Sequence, residues 1–275
     1  MNEFMNNPIF QSALIPFAIA LAAALLIRPK AWSGLGFILA YGVSVYVTIG
    51  FQILPFTSTR KILLFTALAV CLGIMLDLYA KRRRFITWLI VALSIAAAVW
   101  LAWPLLKRAD GTEWWILLLS TTVYAAILIP LFERLRNDTL RSATASLSLG
   151  MGTGISAILG ASALLGQLGG AIAAAAGAYT LVWLFSKHLV LRSHYTLAIA
   201  VPAAFIGLAA VLYAGMIWYA LIPLALIPLT AYIPVKQQWN RFIQTVVVSL
   251  YSLIPAAVAI ALTWHAAQSS EPSFY

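Results

Sequence analysis

The chain has 275 residues, of which 63% are hydrophobic and 9% are charged. A soluble domain is usually about 45–50% apolar and about 25% charged, so this composition excludes a soluble globular protein and indicates a protein of the lipid bilayer. The single cysteine, Cys71, excludes internal disulfides, and the three histidines lie at or beyond the ends of apolar runs. We therefore expect neither a metal nor another cofactor.

Six stretches of the sequence have the length of one membrane crossing, which needs about 20 mostly apolar residues. They comprise residues 8–27, 34–54, 62–80, 85–106, 114–132 and 242–263. The first stretch follows Glu3 and precedes Arg28 and Lys30. This order is the reverse of a cleavable signal peptide, so we interpret the stretch as a retained anchor with its N-terminus outside the cytoplasm.

Two longer apolar stretches are predicted to be helical hairpins. No charged residue lies between Arg141 and Lys187, or between Arg192 and Lys236. Glycine commonly ends helices, so we predict that the two hairpins turn at residues 166–170 and 214–216. The predicted fold class is therefore all-α, a polytopic membrane bundle of about ten transmembrane helices.

The basic residues predict the orientation of this bundle, because short loops rich in Lys and Arg stay in the cytoplasm. With ten crossings the 17 basic residues divide into 13 on one side and Arg60, Lys61, Lys107 and Arg108 on the other. This division is more uneven than eight or nine crossings would give. We expect both termini to lie outside the cytoplasm, in a bacterial inner membrane. The net charge of +10 then reflects topology and does not indicate nucleic-acid binding.

We expect residues 1–275 to form one transmembrane domain. Two five-helix halves, 1–132 and 142–265, would be joined by a cytoplasmic loop at 133–141. An odd number of helices in each half would orient the halves oppositely, as in many transporters. The residues of the two halves do not match, so this interpretation rests on helix number alone.

Asp77 is the only acidic residue inside a predicted span. Lys81 follows at the i+4 spacing of a helical ion pair, so we predict an interfacial pair between them. A coupling or substrate role for Asp77 is the alternative. The run Lys81, Arg82, Arg83 and Arg84 would fix the orientation of the flanking helices, or would bind anionic lipid headgroups at the cytoplasmic face.

Hydroxyl groups near the middle of several helices are candidates for lining a substrate cavity. Many of them share a helix face through i+3 or i+4 spacing. The alternative is that each one bonds to its own helix or to a neighbouring helix. The cavity candidates are Ser44, Tyr46, Thr48, Ser120, Thr121, Tyr124, Thr153, Ser156, Ser249 and Ser252.

Small residues recur at four-residue spacing between Gly150 and Gly177. Such faces let helices approach closely, within this chain or against a partner membrane protein. Glycine and proline also weaken helices, which permits hinges. The hinge candidates are Gly150, Gly152, Gly154, Pro223 and Pro228.

Enzyme motifs such as HExxH, GxSxG and the P-loop are absent from the sequence. His188 and His194 share a loop that we expect to be solvated. The first hypothesis is a permease or flippase-like protein for a neutral, zwitterionic or lipid-like small molecule, not driven by buried carboxylates. The alternative is a non-catalytic membrane subunit or scaffold of a larger membrane complex, and a membrane enzyme ranks third.

Overall fold

The computed structural model of the protein describes residues 7–27, 32, 34–50, 57–79, 83–160, 162–186 and 189–269. Every regular element in these residues is helical. The α-helices are α1 (Ile15–Leu26), α2 (Leu35–Ile49), α3 (Ser58–Tyr79), α4 (Arg83–Leu106), α5 (Gly111–Glu133), α6 (Thr139–Leu159), α7 (Ala163–Phe185), α8 (Ser193–Tyr213), α9 (Leu221–Thr230) and α10 (Arg241–Ser269). A π-helix, Phe10–Leu14, precedes α1, and 3₁₀ helices, Arg134–Asn137 and Trp218–Ala220, precede α6 and α9.

In the described part of the chain, seven helices are long and apolar enough to cross a membrane, namely α3 to α8 and α10. The other three apolar helices are shorter and cover Phe10–Leu26, Leu35–Ile49 and Trp218–Thr230. The predicted helical membrane bundle is therefore confirmed, and the chain is an integral membrane protein. Helix α2 ends before the predicted boundary because Gly50 adopts a φ of 76°, which ends the helix. Residues 51–54 of that predicted span lie outside the described residues.

Each of the two long apolar stretches is divided into two helices, but one is divided at a different place. Helix α8 ends at Tyr213, and the chain turns through Gly215 with a φ of 75°, as predicted. Helix α6 ends at Leu159 and α7 begins at Ala163, so the hairpin of α6 and α7 turns between those two residues. The prediction of a turn at residues 166–170 was wrong, since these residues lie inside α7.

The glycines of α7 allow its backbone to contact that of α6. A Cβ atom on Gly169 would lie 2.4 Å from the Cα of Gly154, and one on Gly150 would lie 2.5 Å from the backbone nitrogen of Ala173. Neither position has room for a methyl group. Close backbone approach of this kind gains van der Waals contact, which drives helix association in lipid. These glycines therefore pack the hairpin together, and they do not turn it.

Helix α8 lies at the centre of the bundle, where it contacts α2 to α7. In its most apolar segment 83% of the residues are buried, against 28% in α3, 33% in α4 and 39% in α5. Helices α5 and α8 run in opposite directions, as shown by contacts between the end of α5 and the start of α8. We call the end of the bundle that holds this contact the basic end, and the other the opposite end.

The close contact between α6 and α7 predicts that Gly169→Ala destabilises the protein by about 1–3 kcal/mol, because the added methyl group has no space beside Gly154. Gly177→Ala in the same helix is the matched control, since its Cβ would lie 3.6 Å from Leu147, an ordinary contact distance. We expect Gly177→Ala to be neutral or slightly stabilising. Thermal unfolding in detergent, followed by circular dichroism, measures both. Equal melting temperatures for the two variants would contradict the proposed packing.

Candidate functional site

An apolar cleft of about 610 Å³ opens on the side of the bundle between α5, α8 and α9. We call it the lateral cleft. Its walls include Ser120, Thr121 and Tyr124 of α5, together with leucines of α8 and α9. Three of the ten predicted cavity residues therefore line one continuous space.

The lateral cleft runs from the opposite end of the bundle past its middle. On α5 it extends from Glu113 to Ile127, which corresponds to about 21 Å at a rise of about 1.5 Å per residue. Trp218 lies at the same end as Glu113, because α8 runs antiparallel to α5 and Trp218 follows the end of α8. The cleft therefore has one carboxylate and one indole ring at one end, and an apolar interior.

The Ser120 and Thr121 hydroxyl groups on the cleft wall bond to their own helix. Ser120 donates to the carbonyl of Leu117 at 3.2 Å, and Thr121 donates to the same carbonyl at 2.7 Å. Such bonds to the preceding turn satisfy the hydroxyl without a ligand. The surface that remains for a bound molecule is chiefly hydrocarbon.

Unpartnered hydroxyl groups lie behind this wall. Among the described residues, the Tyr124 hydroxyl and Thr153 Oγ1 are buried and have no hydrogen-bond partner. Both lie beside Gly207 of α8, whose Cβ would be 3.3 Å from the Tyr124 oxygen and 3.8 Å from Thr153 Cγ2. The Ser156 hydroxyl on α6 is also buried without a partner there. An unsatisfied buried hydroxyl costs about 1–3 kcal/mol, and these atoms are closed off from the lateral cleft.

The remaining cavity candidates lie elsewhere in the bundle. Ser44 donates to the carbonyl of Gln11 at 2.8 Å and so connects α2 to the first turns of the chain. Thr48 and Ser252 donate to carbonyls of their own helices. The other two are Tyr46, which is exposed on α2, and Ser249, which is partly exposed on α10.

The hinge candidates lie in α6 and α9. Helix α6 is continuous through Gly150, Gly152 and Gly154, and a Cβ on Gly152 would lie 2.8 Å from the side chain of Leu224 in α9. Helix α9 has only 10 residues and includes both Pro223 and Pro228. Proline lacks the backbone N–H that a helix interior requires. The wall of the lateral cleft formed by α9 is therefore short and interrupted.

A polar network at the basic end joins α3 to α8 through Asp77. Its carboxylate accepts the backbone N–H groups of Ser193 at 3.1 Å and His194 at 3.0 Å, which are the first residues of α8. The Nδ1 atom of His194 lies 2.6 Å from the same carboxylate. Asp77 thus caps α8 from another helix, where a negative charge also stabilises the helix dipole.

Glu133, at the end of α5, binds the first turn of α8. It accepts a hydrogen bond from the hydroxyl of Thr196 and forms an ion pair with Arg136 at 3.1 Å. Arg136 also donates to the Ser193 hydroxyl at 3.3 Å. The start of α8 is therefore held by α3 on one side and by α5 on the other.

The sequence did not predict this network. His194 was expected on a solvated loop, yet its side chain is fully buried, beside the indole of Trp32. One signal was available, because Gly73 precedes Asp77 by one helical turn, and a Cβ on Gly73 would lie 2.5 Å from the Cα of His194. A glycine one turn before a lone acidic residue indicates close approach followed by capping.

The predicted lipid-headgroup and ion-pair residues lie mainly beyond the described part of the chain. Lys81, Arg82 and His188 lie outside the described residues, and so do the side chains of Arg83 and Arg84. The ion pair between Asp77 and Lys81 therefore stays a prediction.

No protein-family model matches this chain, and no curated protein matches it in sequence.

Removing the carboxylate that caps α8 tests the network at the basic end. We expect Asp77→Ala to cost about 2–3 kcal/mol of unfolding free energy, because two backbone N–H groups and the His194 ring lose their acceptor. Asp138→Ala is the control, since Asp138 caps only its own helix and its side chain is 46% exposed. That loss should be about 1 kcal/mol. Unfolding by sodium dodecyl sulfate gives both values, and an equal or smaller loss for Asp77→Ala would exclude the cap between helices.

Proposed function

We propose that this protein is a permease or flippase-like carrier of a lipid-like molecule, whose apolar chain binds in the lateral cleft. The observation that carries the proposal is the position of the cleft between α5, α8 and α9, on the side of a membrane bundle. A molecule dissolved in the bilayer would reach this site directly from the lipid.

The size and lining of the cleft support this assignment. Ligand pockets usually measure about 300–1,000 Å³ and are mainly apolar, and the lateral cleft measures about 610 Å³. Its rim includes Ile116 and Ile222, whose side chains are 68% and 53% exposed. These exposed side chains would contact lipid in the membrane.

The sequence left three substrate classes open, namely neutral, zwitterionic and lipid-like molecules. The hydrogen bonds of the cleft wall favour the lipid-like class. A neutral polar or zwitterionic solute needs hydrogen-bond partners inside the membrane, since an unsatisfied polar group there is costly. Ser120 and Thr121 donate to their own helix, so they offer little to such a solute. A hydrocarbon chain needs only the apolar wall, with its polar group near Glu113 and Trp218.

Movement of α9 is the proposed way of opening the cleft. Pro228 lies inside the helix and removes one backbone hydrogen bond, and the 10 residues of α9 are too few to cross a bilayer core of about 30 Å alone. Rotation at Pro223 or Pro228 would widen the cleft without disturbing the central helix. Gly150, Gly152 and Gly154 pack α6 closely against its neighbours, so the proposed movement is confined to α9.

The proposed orientation follows from the alternating helix directions. Helix α1 starts and α10 ends at the opposite end, which has few basic residues in the sequence. This arrangement supports an even number of crossings, with both termini outside the cytoplasm. A bacterial inner membrane remains the proposed location.

The alternative role as a non-catalytic subunit was motivated by small-residue faces available for docking. In the structure, Gly150, Gly154 and Gly169 pack against residues of the same chain. These three positions are therefore used within the chain, which supports the carrier over the subunit.

Filling the lateral cleft should stop transport. In proteoliposomes that carry a fluorescent phospholipid in both leaflets, the wild-type protein should expose inner-leaflet label to an external quencher. We expect Ala225→Phe, on the cleft wall, to slow this exposure about tenfold, a loss equivalent to about 1.4 kcal/mol. Ala257→Phe is the control, since Ala257 is exposed on α10 away from the cleft. Wild-type rates in Ala225→Phe, or no lipid movement with the wild-type protein, would overturn the proposal.

A further inference from the structure

A second apolar groove, of about 460 Å³, lies between α2 and α3. Its walls include Phe37, Tyr41 and Val45 of α2, and Leu64 and Cys71 of α3. Ala198 of the central helix also contributes to the lining. We call this space the α2–α3 groove, and its lining shares no residue with that of the lateral cleft.

The length of the α2–α3 groove matches one leaflet of a bilayer. Arg60 lines it near the start of α3, and Cys71 lines it 11 residues further along the same helix. At about 1.5 Å per residue, this separation is about 16 Å. Half of a hydrocarbon core of about 30 Å is about 15 Å. An acyl chain that starts at the level of Arg60 would therefore reach the level of Cys71 near the bilayer middle.

The groove has a cationic group at its outer limit. The neighbouring Lys61 points away from the groove, because its Nζ donates to the carbonyl of Trp100 at 2.8 Å and its side chain is buried against α4. Arg60 is thus the basic residue of this pair that lines the groove. A guanidinium group forms paired, charge-assisted hydrogen bonds with phosphate, which an ammonium group does not form.

The middle of the groove has open space. A Cβ atom on Gly42, which lines it, would have no other heavy atom within 4 Å. The glycine therefore leaves room for a chain to lie along α2. A Cβ atom at this position would project into open space, and a larger side chain would begin to fill the groove.

We propose that the α2–α3 groove binds one anionic phospholipid from the leaflet at the opposite end of the bundle, with its acyl chain along the groove and its phosphate on Arg60. The groove length supplies the match to a single chain, and the guanidinium supplies the preference for negative charge. This site does not depend on transport through the lateral cleft. It also lies at the other end of the bundle from Asp77.

Cys71 provides a direct probe, since it is the only cysteine of the chain and is exposed at the inner part of the groove. The protein is labelled there with bimane and placed in phosphatidylcholine nanodiscs that contain a minor fraction of phosphatidylglycerol. Bromine atoms on the acyl chains of one lipid at a time quench the label. We expect brominated phosphatidylglycerol to quench as if it were enriched about three- to fivefold over its bulk fraction.

Substitutions identify the source of this enrichment. Arg60→Gln should reduce it to the bulk value, whereas Arg60→Lys should retain part of it. Arg108→Gln is the matched control, because Arg108 is an exposed basic residue beside the end of α4 and at the same end of the bundle. Gly42→Phe should lower quenching by both lipids by filling the groove.

Three results would overturn the lipid site. They are equal quenching by the two lipids, enrichment that survives Arg60→Gln, and enrichment that falls equally in Arg108→Gln. The last result would mean that general surface charge attracts the lipid. Circular dichroism melting confirms that each variant is folded before it is compared, and the transport assay with Ala225→Phe is unaffected by any of these outcomes.

Discussion

The backbones of α6 and α7 meet at Gly154 and Gly169 with no space for a methyl group between them. In lipid, helices gain little by burying large apolar side chains, because the lipid tails are equally apolar. Close approach of backbones therefore replaces the hydrophobic core of a soluble protein. The hairpin of α6 and α7 provides a compact wall, and the alanine-rich α8 packs beside it. The outer helices, α3, α4, α5 and α10, keep large side chains facing outward.

The apolar lengths in the sequence predicted the helical segments and the division of both long stretches, because a bilayer crossing needs about 20 apolar residues. The same argument, that glycine commonly ends helices, predicted the turn at Gly215 correctly and the turn at residues 166–170 wrongly. Glycine permits a positive φ in one context and close helix packing in the other. A sequence shows where each glycine is, but it does not show which backbone lies against that glycine. Only the position of α6 against α7 distinguishes the two uses.

The candidate site was predicted only in part. Helical spacing placed Ser120 and Tyr124 on one face of α5, and that face lines the lateral cleft. Spacing along one helix does not reveal which neighbour it faces, so Ser44 and Ser252 were assigned to the same cavity although they lie elsewhere. The burial of His194 and Glu133 was missed, because charged residues beside apolar runs resemble solvated loops until the opposing helices are known.

The contact between Asp77 and Ser193 joins residues separated by 116 positions in the chain. Since synthesis proceeds from the N-terminus, the carboxylate enters the membrane long before the helix whose N–H groups it accepts. During that interval Asp77 lacks those donors at the edge of the lipid. The insertion of α8 supplies them. In a chain that stops before residue 193, the Asp77 carboxylate would lack the backbone N–H donors of α8. An unfinished chain would differ from the finished protein in this way.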